Sequence, residues 1–108
     1  MNESEFNALA VSTLDRLAAA IEGSQLECDC EFKGDGVLEI GFENGTRIIV
    51  NRQSAAQELW VAAKSGGFHF RHDGSSWLNA RDGSELFATL SRLVSEQSGQ
   101  SVILGPVR

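Results

Sequence analysis

Five carboxylates in the first third of the chain have the types and spacing to do chemistry. Asp15 and Glu22 are seven residues apart within a stretch of helical periodicity, which sets them on one stripe, two turns apart. Glu27, Asp29 and Glu31 follow at every second residue, which lines them along one side of a strand. All five offer hard oxygen donors with no thiolate or imidazole among them. Such a set suits hard cations such as ferric iron, manganese or calcium. Their spacing builds no closed cage, so the expected binding is weak, open and sensitive to salt.

Other reactive side chains point less clearly to a site. Cys28 and Cys30 form a C-x-C pair with no second pair or neighbouring histidine to complete four ligands. They share a strand side with Leu26 and Phe32, so buried thiols are expected. His69 and His72 are three apart beside a strand and face opposite sides, without a carboxylate in a common motif. A small enzyme built on His69 and a carboxylate is thus a weaker alternative. Nucleophile elbow, phosphate-binding loop, dinucleotide fingerprint, zinc-binding H-E-x-x-H and calcium-loop patterns are all missing. Trp60 is more informative. Leu59 and Val61 alternate with it, and Asn51 and Gln53 alternate with Val50, so all three polar or aromatic residues fall on an open sheet face. An exposed tryptophan flanked by amides fits a protein-binding hot spot.

The elements that must position these groups read clearly along the chain. Residues 5–22 carry an apolar stripe of Phe6, Leu9, Ala10, Thr13, Leu14, Leu17 and Ile21, with Asn2 and Glu5 as a capping box. Gly23-Ser24 is the expected stop. Residues 26–32 then alternate as a half-buried strand, with further strands at 37–42, 46–53, 59–63, 68–72 and 77–81. Asn44-Gly45 signals a hairpin. A two-residue loop there would set Glu39 among aliphatics, so a bulge or longer loop is expected to shift the register. Ser65-Gly66-Gly67 and Asp73-Gly74-Ser75 supply the later turns. A second helix follows, with Asp82 and Glu85 as its expected cap box, a stripe of Leu86, Phe87, Leu90, Leu93 and Val94, and Gly99 at its end. The tail Val102-Ile103-Leu104 should pack back, with Pro106 ending regular structure.

Tight turns make the strands antiparallel, and both helix stripes need one sheet face to cover. The expected fold is therefore α+β: two terminal helices packed on one face of an antiparallel sheet of about six strands. At 108 residues the chain fits a single domain, residues 1–108.

Charge is unevenly spread. Residues 1–45 hold ten acids and two bases, a net of −8, and the remainder carries +2, giving −6 in all. That field repels nucleic acid and anionic membranes and attracts cations or a basic protein surface. A solvated face that only aids solubility is the plainer alternative. No apolar run is long enough to span a membrane, and the first ten residues lack the basic region of a secretory signal. A cytoplasmic monomer is expected.

Several stretches together resemble the frataxin family, most closely its bacterial branch. They run from Asn51-Arg52-Gln53 through Gln57, Trp60, Gly66-Gly67, Phe70 and Trp77 to Arg81-Asp82-Gly83, with the start at residues 1–6 and Phe42-Glu43-Asn44-Gly45. The resemblance covers nearly the whole chain. It implies the fold above, weak iron binding on an acidic ridge of the first helix and strand, and a place in iron–sulfur cluster assembly. Cysteine desulfurase and the scaffold machinery would be the partners, with the desulfurase rate tuned rather than a reaction catalysed. Glu22, Glu27 and Asp29 resemble ridge positions, with Asp15 and Glu31 beside them. Glu22 would also contact the partner, together with Asn51, Gln53 and Trp60. A dedicated iron donor or store, or a metal-independent binding module, are the alternatives. Where the family usually carries further acids, this chain has Ala18, Ala19 and Gly23, which thins the ridge.

Overall fold

Asn2 starts the first helix by a reciprocal pair of bonds. Its side-chain oxygen accepts from the Glu5 N–H at 2.7 Å, and its own N–H donates to Glu5 Oε1 at 3.0 Å. In this computed structural model, which describes residues 1–105, the helix α1 (Glu3–Gly23) runs to a cap at Ser24. Six strands follow: β1 (Cys28–Phe32), β2 (Val37–Phe42), β3 (Arg47–Gln53), β4 (Glu58–Ala63), β5 (Gly66–His72) and β6 (Trp77–Asn79). The second helix, α2 (Leu86–Ser98), closes the order. The strands pair antiparallel in sequence order, a plain meander.

Alternation decides which face is covered. Leu38, Ile40, Ile48, Val50, Leu59, Val61 and Phe70 are buried against Phe6, Leu14, Leu17 and Ile21 of α1 and the expected stripe of α2. Each fully buried aliphatic or aromatic side chain of this kind contributes about 1.5–3 kcal/mol. Trp77 seals one end of this core. Its Nε1–H donates to Thr13 Oγ1 at 2.9 Å, which satisfies two buried polar groups at once. At the other end, Gln97 accepts from the Lys64 N–H at 3.0 Å and donates to Thr46 Oγ1 at 3.0 Å, tying α2 to two turns.

The β2–β3 register has moved as the stranded glutamate demanded. Ile40 opposes Ile48 and Glu39 opposes Ile49, because the loop spans Glu43, Asn44 and Gly45 with Gly45 at φ 87°. Other expectations need correction. Glu85 itself, not Asp82, caps α2, accepting from the Phe87 and Ala88 N–H groups. Asp82 instead holds the turn before it through the Ser84 N–H at 2.9 Å. The first strand starts two residues later and the third one later than read, the fourth starts one earlier and the fifth two earlier, and the sixth stops at Asn79. Phe32, at the far end of an edge strand, lies beyond the helix layer and is 49% exposed. In the tail, Leu104 is buried while Ile103 is 87% exposed, and Pro106 lies outside the described residues.

Candidate functional site

The edge strand β1 presents two chemically different sides. Cys28 opposes the core-facing Phe42 and Cys30 opposes Ile40, so both thiols turn toward the helices and are half-buried. Burial, helped by the nearby charges of Cys28 and Glu22, pushes the Cys30 thiol up to about 11. Burial, aided by Asp29, raises Cys28 as well. Such thiols are poor nucleophiles and poor metal ligands at neutral pH.

Asp29 and Glu31 occupy the opposite side, facing Gly41 and Glu39 across the pair. Glycine at position 41 leaves the floor beside Asp29 low. Two shallow grooves meet there, one lined by Glu27, Asp29 and Glu43, the other by Asp29, Glu31 and Glu39. The Glu27 carboxylate raises the Glu43 carboxyl above the usual range, by favouring a protonated, hydrogen-bonding form and by its like charge. Glu43 was legible only as part of a hairpin, since no periodicity links it to Glu27.

The sequence-derived acids are not equivalent. Lys33 lies 3.2 Å from Glu31 and 3.7 Å from Glu39, and Arg47 lies 3.4 Å from Glu39, so this stretch is partly neutralised. Among the described residues, no ion pair involves Asp15, Glu22, Glu27 or Asp29. Glu22 lies close enough to β1 for its charge to act on Cys30. Asp15 stands about 10 Å further up α1 by helical rise and lines a separate groove with Val11 and Arg16. Ala18 is buried in the core, so no ridge acid is missing at that position; Ala19 and Gly23 are exposed. Among the described residues, no three His, Cys, Asp or Glu side chains converge as a metal-holding group.

Trp60 stands on the sheet face turned away from the helices. Asn51 opposes it on β3 and His69 on β5; Gln53, Glu58 and Arg71 form the next row. The indole is half-buried rather than fully exposed, because its neighbours hold it. Its Nε1–H donates to Glu58 Oε1 at 2.8 Å, and His69 stacks on it with centroids 4.4 Å apart and planes 6° from parallel. Arg71 Nε–H donates to Glu58 Oε2 at 3.1 Å. The bond from Trp60, followed by Arg71 and then His69, holds the Glu58 carboxyl below the usual range against the opposing effect of burial. Sequence reasoning found no carboxylate for His69. The β4–β5 register supplies one, since His69 Nδ1 lies 3.7 Å from Glu58 Oε1. His72 faces the other way and meets Trp77 edge-on at 5.1 Å.

The acid rim and the indole therefore share one surface. Asp29 and Glu31 on β1 face the same side as Trp60 on β4, three strand spacings (about 14 Å) across the sheet and, by register, four and two residues further along the strands. No described helix is long and apolar enough to cross a membrane.

Comparison with known proteins agrees with this architecture. The family model of a frataxin-like domain matches residues 1–100. The iron–sulfur cluster assembly protein CyaY of Dechloromonas aromatica is 52% identical over 104 residues, covering 96% of this chain and 99% of that protein. Its counterpart in Herminiimonas arsenicoxydans is 54% identical over 109 residues, covering 96% of each. Among solved structures, the frataxin of Psychromonas ingrahamii superposes with a TM-score of 0.90 at 31% identity, covering 97% of this chain and 99% of that one. With its two helices, its six-stranded meander and these relatives, the chain belongs to the frataxin family, in its CyaY branch.

Proposed function

We propose that the protein is a non-enzymatic accessory factor of iron–sulfur cluster assembly that docks on cysteine desulfurase and adjusts its rate. The acidic rim steers it to a basic surface, and Trp60 with Asn51 and Gln53 completes the contact. One observation carries this reading: the register puts Asp29 and Glu31 on the same open face as Trp60. The relatives named as cluster assembly proteins support the pathway.

Iron enters as cargo held on exposed carboxylates. Glu27, Glu43 and Asp29 line one groove and supply hard oxygen donors. Without three converging side chains among the described residues, such a rim favours brief, exchangeable contact over storage. Docking is therefore the primary role and iron capacity secondary.

Replacing Glu22, Glu27 and Asp29 together by lysine tests this. Co-elution with the desulfurase at low salt should be abolished; unchanged co-elution would remove the docking role. Repeating the pull-down with and without added iron separates metal-dependent from metal-independent association.

A further inference from the structure

Glu58 is the least exposed charged side chain of the open face, 8% exposed, and three neighbours converge on it. Its Oε1 accepts the Trp60 indole N–H at 2.8 Å and lies 3.7 Å from His69 Nδ1, while Oε2 accepts from Arg71. One carboxylate oxygen thus serves both members of a stacked indole–imidazole pair. We propose that Glu58 and His69 form a pH-sensitive mount for Trp60, in which Glu58 positions the indole and protonation of His69 weakens docking of a basic partner. This rests on the docking role proposed above.

The groups that set the field around His69 are few. Glu58 faces it from β4, and Arg71 lies two residues along its own strand. β6 contributes no titratable side chain, and Arg81 is exposed just beyond it, after Ala80, whose N–H donates to the His69 carbonyl at 3.0 Å. Imidazole is the side-chain type that changes charge between about pH 5 and 8. When His69 gains its proton, the new Nδ1–H is drawn to the same Glu58 oxygen that holds the indole. The resulting cation lies flat on the indole face and engages its π system. Both effects act in one direction. Positive charge is added where a basic partner must approach, and the ring electrons that could receive a partner cation are already occupied.

The test follows the affinity of the whole protein for the desulfurase from pH 8 to 5.5, in wild type and His69→Gln. Wild type should weaken roughly two- to fivefold more than the variant over this range, as expected for a partly exposed charge interaction. Partner groups and the acidic rim titrate equally in both proteins and cancel in the comparison. In parallel, the Trp60 Nε1–H resonance of the free protein should move with pH in wild type and stay still in His69→Gln. Glu58→Gln, which keeps an acceptor for the indole, should retain the resonance position at pH 8, whereas Glu58→Ala should shift it. Identical pH profiles for wild type and His69→Gln, or an indole signal indifferent to pH, would overturn the proposal. The docking reading fails separately, if Trp60→Ala binds the desulfurase as wild type does at every pH.

Discussion

The imidazole of His69 lies flat on the indole of Trp60, 4.4 Å between centroids and 6° from parallel. One face of the indole is therefore taken by its own sheet, and Glu58 holds its N–H. What the ring can offer a partner is its remaining face, in a fixed orientation. A side chain held this way loses little rotamer freedom on binding, which favours its use as an anchor.

The two tryptophans should behave differently on truncation. Trp60→Ala leaves no interior cavity, so the far-ultraviolet circular dichroism should be unchanged while desulfurase affinity falls about thirtyfold or more, as for a hot-spot residue. Trp77→Ala removes a buried ring that packs edge-on to Phe6 and bonds Thr13, and should cost about 3–5 kcal/mol in urea unfolding.

Glu58 should shape the acid limb of the stability profile. Its folded carboxyl titrates below its unfolded value, so its stabilisation is complete above the ordinary glutamate range of about 4.3. That stabilisation fades as pH falls through the folded value. Glu58→Ala, which strips the Trp60 N–H and Arg71 of their acceptor, should lose about 1–3 kcal/mol at pH 7. The loss should shrink when unfolding is repeated near pH 3.

Cys30 should be slow toward alkylation in the native state. With its thiol pushed up to about 11, only about one molecule in a thousand is thiolate at pH 8. Iodoacetamide labelling followed by mass spectrometry should show native Cys30 lagging the urea-unfolded chain by at least an order of magnitude.

The tail is held by a serine ladder on α2. Ser95 Oγ exchanges bonds with the Val102 N–H and carbonyl, while Ser91 Oγ accepts the Leu104 N–H at 2.7 Å and donates to the Phe87 carbonyl at 2.7 Å; the Leu104 side chain is buried. Leu104→Ala should cost about 2–5 kcal/mol. Ser91→Ala should free the Leu104 amide, read as faster hydrogen exchange there.

Much of this fold was legible in the sequence because each element obeys a simple period. The stripe from Phe6 to Ile21 and the alternation from Leu26 to Glu31 gave the helix and the two-sided strand directly. Glu39, stranded among aliphatics in a two-residue hairpin, even announced the longer loop. Contacts between strands were another matter. Glu58 reaches His69 only through a register set by the two-residue Lys64-Ser65 turn, and Glu27 reaches Glu43 only across the β1–β2 end. Neither pairing leaves a periodic trace. The cap of α2 was misplaced for a local reason: Asp82 and Glu85 are both good cap residues, and Asp82 is consumed by a turn with Ser84. Ala18 shows that a position on α1 has meaning as a ridge site only once its side of the helix is known.

The most direct test of the shared docking surface is the backbone amide footprint of the isotope-labelled chain upon addition of the desulfurase. Perturbed resonances should form one patch running from Glu27, Asp29 and Glu31 across β2 and β3 to Trp60 and His69. A footprint on the outer turns of α1 around Val11 and Asp15, with the open sheet face silent, would contradict it.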